Sequence, residues 1–152
     1  MYNFGLGVSI KMTQLDFSAL KKAIDSFTRT REAALEHKII ETLSPALQEA
    51  VRAGVIQNFE FTYKLAWKSM KRWLENNYGS QYVDGVTRRE LFRLACESHL
   101  IYDVDEWMFY HRARNQTSHT YNDDMAEEIY QRALNFLPLV SALYAQLDAK
   151  SD

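Results

Sequence analysis

The run Gly54-Val55-Ile56-Gln57-Asn58-Phe59-Glu60-Phe61-Thr62-Tyr63-Lys64-Leu65-Ala66-Trp67-Lys68 decides the fold class. Val55, Phe59 and Ala66 recur at helical spacing, and Met70 and Trp73 continue the stripe. Ile56, Tyr63, Leu65 and Trp67 widen it past half the circumference. A helix with that much apolar surface is the central member of a bundle or lies at a subunit interface. Ser44-Pro45 marks its start, with proline suited to the first turn. Asn76-Asn77-Tyr78-Gly79-Ser80 ends it, so the helix is expected from Pro45 to about Asn77. Gly54 costs about 1 kcal/mol relative to alanine in its interior and permits a bend or a close helix approach.

Flanking patterns extend this reading. Upstream, Leu20, Ala23, Ile24, Phe27, Ala34 and Leu35 make an apolar stripe from Asp16, a candidate N-cap, to about His37. Lys21, Lys22, Arg29 and Arg31 read as its solvated face. Downstream, Thr87-Arg88-Arg89-Glu90 fits a capping box ahead of a short helix near 88–98, with Leu91, Leu94 and Ala95 inward. Asp103-Val104-Asp105-Glu106 opens another helix with carboxylates at its positive end. Asn122-Asp123-Asp124 caps a last one, about 124–147, where Ile129, Ala133, Phe136, Leu137, Val140 and Leu143 face inward and Pro138 introduces a kink. The expected fold is all-α: an antiparallel up-and-down bundle of four longer helices plus a short one. Residues 14–147 form the single domain, 1–13 a flexible arm and 148–152 a frayed end.

Composition agrees. A chain of 152 residues with 47% hydrophobic residues has enough apolar side chains for one core, and two prolines and five glycines disfavour a turn-rich β-fold. The net charge of −2 gives no global basic field, so nucleic-acid contact requires a local patch. Arg88, Arg89 and Arg93 with Lys68, Lys71 and Arg72 offer such a strip, although a solvated face explains them almost as well. Cys96 is the single cysteine, which excludes an intrachain disulfide, suits a reducing cytoplasm and reads as a small buried group. No apolar run approaches the roughly 18 residues of a membrane span, and no signal-peptide pattern opens the chain.

The usable chemistry gathers in Arg114-Asn115-Gln116-Thr117-Ser118-His119-Thr120-Tyr121. Arginine offers a permanent charge and a planar fork of donors matched to phosphate. A neutral imidazole accepts a proton from a ribose 2′-hydroxyl, and its charged form returns one to a leaving 5′-oxygen. Asn115 and Ser118 add orienting hydrogen bonds. On an ideal helix Asn115 and His119 share a face, while Arg114 and His119 diverge by about 140°. For both to reach one phosphate, the helix opens between them or two copies of the segment meet across a dimer. No carboxylate–histidine cluster has metal spacing, so no metal and no other cofactor is expected. Capping and surface hydrogen bonding are the plainer roles for the same residues.

Arg114, four intervening residues, His119, one more residue and Tyr121 resemble the signature of HEPN-domain proteins. The form Arg-Asn-Gln-Thr-Ser-His-Thr-Tyr is similar to the nucleotidyltransferase substrate-binding branch of that superfamily. The run 54–68 and Leu100-Ile101-Tyr102-Asp103, leading to Trp107, fit the same branch over about residues 15–147. The resemblance implies a dimeric helical bundle partnered by a minimal nucleotidyltransferase, often as toxin and antitoxin. The HEPN member is then a ribonuclease whose arginine and histidine meet at a dimer cleft. It is silenced when the partner transfers AMP to the motif tyrosine, here Tyr121. Arg114 and His119 become the catalytic pair, supported by Asn115 and Ser118, with RNA as substrate and neither membrane nor DNA as partner. A non-catalytic subunit presenting a nucleotide or substrate to the transferase is the alternative. The chain lacks a glycine-serine motif followed by paired aspartates, so it is not expected to transfer nucleotides itself.

Three further residue sets carry expectations. Glu60 interrupts an apolar face and needs a partner, Arg114 or Lys64. His111 reads as a partly buried packing residue, and His37 and His99 as ordinary polar residues near helix ends. Trp67, Trp73 and Trp107 read as core or dimer anchors rather than base-stacking platforms.

Overall fold

The computed structural model describes residues 15–119 and 123–151, with the backbone alone at 37–39, 119 and 123. The expected arm at 1–13, the Asn122 cap and Tyr121 lie outside the described residues.

Six α-helices are present among them: α1 (Ser18–Leu35), α2 (His37–Thr42), α3 (Pro45–Tyr78), α4 (Arg88–Glu97), α5 (Val104–Gln116) and α6 (Asp123–Ala149). The fold is an all-α bundle. The four longer helices and short α4 match the sequence reading, and α2 is an addition to it. With only six residues and no side-chain cap at its start, α2 lacks the local signals that mark a helix.

Caps explain most boundaries. Ser44 Oγ accepts the Leu47 N–H at 3.3 Å, and Pro45 occupies the first turn, where no N–H is required. Gly79, at φ +94°, ends α3 with its N–H on the Glu75 carbonyl. Thr87 Oγ1 accepts from the Glu90 N–H, but the Glu90 carboxylate turns to Arg93 instead of completing a reciprocal box. Asp103 Oδ1 accepts from the Glu106 N–H. At α1 the cap position falls on Phe17, not Asp16; Asp16 Oδ1 instead takes the Ser18 N–H at 2.8 Å.

The core confirms α3 as the central member. Its buried Val55, Phe59, Tyr63, Ala66, Met70, Trp73 and Leu74 meet α1 on one flank and α6 on another, while α4 and α5 close the remaining side. Phe136 of α6 is the junction. Its ring lies 5.2 Å from Phe59 and 5.5 Å from Trp107, both edge-to-face, and 5.1 Å from Tyr110. Such pairs add about 0.5–1.5 kcal/mol each beyond area burial. They lock α5, the helix that carries the polar stretch, onto α3 and α6.

Two surface expectations change. Arg31 does not belong to a solvated face: its Nε donates to the Leu134 carbonyl at 2.7 Å. Pro138 explains why that carbonyl is available. Leu134 lies four residues before it, and proline has no N–H to bond back. Helix α6 passes through Pro138 unbroken, and an arginine from α1 supplies the missing donor. Cys96 is only partly buried, its Sγ 3.7 Å from the Tyr102 carbonyl oxygen.

Candidate functional site

Trp107, Tyr110 and Ala113 are the buried residues of α5, and their spacing of three sets the helix's rotation. The residues that follow two of them, His111 and Arg114, then meet α3 along one edge. Arg114 Nη1 lies 3.8 Å from Glu60 Oε2, with the two side chains 39% and 35% exposed. Between the two partners proposed for Glu60, the structure selects Arg114. At that exposure the ion pair contributes at most about 1 kcal/mol. Buried Thr117 reinforces it, its hydroxyl 2.7 Å from Glu60 Oε2 and 2.8 Å from the Arg114 carbonyl. A hydroxyl has one proton, so the two acceptors share it.

Helix α5 ends between Arg114 and His119, the first of the two routes by which both could face one phosphate. After Gln116 the backbone tightens into a 3₁₀ turn, Thr117–His119, with the Thr117 N–H on the Arg114 carbonyl. Arg114 is therefore in the last α-turn and His119 beyond it. Asn115 and Ser118 are exposed. The His119 side chain and all of Tyr121 lie outside the described residues. The structure thus brings Arg114 and Glu60 together and places Asn115 alongside.

His111 is more than a packing residue. Its Nδ1 lies 2.7 Å from the Tyr63 hydroxyl and its Nε2 3.3 Å from the Asn115 amide. Burial, then the charges of Arg88, Arg112 and Arg114, hold its pKa below the usual histidine value. Tyr63 is buried enough to be pushed up to about 12, and nearby Arg88 opposes that rise. Arg88 lies over the Trp67 ring, 3.5 Å from its centroid, and its charge acts on both Tyr63 and His111. Trp73 and Trp107 are core residues, whereas half-buried Trp67 is a platform for Arg88.

The basic strip is divided. Arg89 pairs with Asp105 at 3.1 Å, Arg93 with Glu90 and Glu97, and Arg72 reaches the Asp16 carbonyl. Arg88 alone of the named arginines turns toward the cluster. The sequence signal for His111 was its placement one turn before Asn115. Nothing local tied Tyr63 or Arg88, which come from other helices, to His111. Among the described residues no group of three or more His, Cys, Asp and Glu is placed to hold a metal ion, and no helix is long and apolar enough to cross a membrane.

Comparison with known proteins adds to this geometry. Residues 15–149 match the family described as nucleotidyltransferase substrate binding protein like. A curated protein of Haemophilus influenzae, named probable ribonuclease HepT, is 31% identical over 135 residues, covering 88% of this chain and 92% of that protein. A solved H. influenzae structure, described as revealing the fold of a substrate-binding domain of a nucleotidyltransferase, superposes with a TM-score of 0.83. It is 30% identical and spans 88% of this chain and 99% of that one. A Thermus thermophilus structure gives a TM-score of 0.62 at 26% identity, spanning 82% and 98%.

Proposed function

Because this chain belongs to the nucleotidyltransferase substrate-binding protein-like family of HEPN proteins, we propose that it is the HEPN subunit of a two-component toxin–antitoxin system. In this reading it is a homodimeric, metal-independent ribonuclease of the cytoplasm. A minimal nucleotidyltransferase neutralises it by transferring AMP to Tyr121. The observation that carries the reading is the half-exposed Arg114, braced by Glu60 where α5 opens into the turn bearing His119.

The chemistry follows from the residue types. Neutral His119 takes the proton of a ribose 2′-hydroxyl, and the oxygen attacks the adjacent phosphorus. Arg114 balances the charge that develops on the phosphoryl oxygens. The bond to the 5′-oxygen breaks, and the imidazolium returns its proton there. The products are a 2′,3′-cyclic phosphate and a free 5′-hydroxyl. Asn115 and Ser118 orient the phosphate. An adenylate on Tyr121 adds negative charge and bulk beside this group and obstructs the RNA phosphate.

Purified protein incubated with mixed cellular RNA in EDTA tests the reading. Wild type cuts, and His119→Ala, matched to it in circular dichroism, does not. Tyr121→Phe keeps cleavage but accepts no AMP from the partner. If folded, unmodified wild type leaves RNA intact, the ribonuclease reading fails. The second reading then stands: a non-catalytic subunit presenting a nucleotide or substrate to the transferase. Its support is the description of the matched family and of the H. influenzae fold.

A further inference from the structure

The contacts around His111 form a chain whose proton directions are nearly determined. Tyr63, with its pKa pushed up to about 12, keeps its O–H at neutral pH. If the Tyr63 oxygen accepted from a His111 Nδ1–H, the Tyr63 proton would have no acceptor among the described contacts of this buried hydroxyl. The satisfied arrangement runs the other way. Tyr63 O–H donates to His111 Nδ1. The His111 proton then sits on Nε2, facing the Asn115 amide 3.3 Å away. The contact is to the amide nitrogen, and a half-turn of that amide puts its oxygen on the ring and its NH₂ away from it, free to donate.

We infer that His111 is a positioning residue for the polar site, fixed as its Nε2–H tautomer by Tyr63 and holding the Asn115 amide so that its NH₂ donates to a phosphate oxygen. The donor chain Tyr63, His111, Asn115 runs from α3 to α5 and ends in an amide donor on exposed Asn115. Successive hydrogen bonds of one polarity reinforce one another. The charged and titratable groups around the ring are Arg88 from α4, Tyr63 from α3, and Arg112 and Arg114 from α5. The three cations disfavour the doubly protonated ring, which would compete with Tyr63 for donation. The role assigned to Asn115 rests on the ribonuclease reading; the tautomer does not.

The test has two arms on the full-length protein. Long-range proton–nitrogen correlation spectra of histidine-labelled protein at pH 7 read the tautomer directly. The expected result is an Nε2–H ring at His111, titrating below the ordinary value of about 6.5, with Asn115 side-chain amide signals that shift in His111→Phe. An Nδ1–H ring, or Asn115 signals indifferent to that substitution, overturns the inference. In the second arm, His111→Phe and Asn115→Ala each lower kcat for an RNA oligonucleotide about 10–100-fold with little change in KM. The double variant is no slower than either single one, and His111→Gln, which retains a donor, recovers part of the loss. Multiplying effects, or losses confined to KM, overturn it. If wild type does not cleave RNA, the ribonuclease reading fails and the spectroscopic arm alone decides His111.

Discussion

Arg31 and Pro138 should be coupled across two helices, although neither touches the candidate site. Pro138 leaves the Leu134 carbonyl without its intrahelical donor, and Arg31 Nε supplies one at 2.7 Å. Leu134 is buried, at 5% exposure, so water replaces that donor poorly. Arg31→Ala removes a charged donor and strands a buried acceptor, which costs about 1.5–3 kcal/mol. For a chain of this length that lowers Tm by roughly 4–10 °C. In a Pro138→Ala background the new N–H reaches the Leu134 carbonyl, and removing Arg31 then costs about 1 kcal/mol or less. The coupling energy of the double-mutant cycle is therefore about 1–2 kcal/mol. Urea unfolding of the four proteins, followed by far-UV circular dichroism, measures it. Additivity within about 0.5 kcal/mol would refute the reasoning, because it would mean that the carbonyl never depended on Arg31.

Four other perturbations have defined outcomes. Glu60→Ala destabilises by about 1–2 kcal/mol and no more, since Thr117 keeps the Arg114 carbonyl as an acceptor; chemical denaturation checks it, and salt weakens only the Arg114 part. His99 stands at φ +61° after α4, where the Leu100 N–H bonds the Ala95 carbonyl, so His99→Gly stabilises by about 1 kcal/mol in the same assay. Gly54→Ala raises stability by roughly 0.5–1 kcal/mol, because the added Cβ meets Thr30 Cγ2 at an ordinary 3.9 Å; a drop in Tm would contradict this. Tyr63 ionises near 12 when folded and near 10 when unfolded, so the unfolded chain loses its proton first. Stability therefore falls between about pH 10 and 12, by on the order of 2–3 kcal/mol, and the pH profile of Tyr63→Phe is flatter over that window.

The amino-acid sequence by itself determined the elements. Helical periodicity, Ser44-Pro45, Thr87 and Asp103 are local signals, legible because a helix repeats about every 3.6 residues and its end groups need nearby partners. The polar stretch at 114–121 was legible for the same reason, as was the choice it posed: α5 opens between Arg114 and His119, or two copies of the segment meet across a dimer. Short α2 escaped because six residues do not sustain a helix without tertiary packing. Which side chains meet was decided only by the tertiary structure. Glu60 had two partners in reach of its spacing, and the rotation of α5, set by Trp107, Tyr110 and Ala113 in the core, selected Arg114. His111 became a hub because Tyr63 and Arg88 arrive from α3 and α4, 48 residues away in the case of Tyr63. Arg31 left the solvent face because Pro138, on another helix, freed a carbonyl. Contacts of that range depend on how every helix rotates and slides against the shared core, and no local window of sequence contains that information.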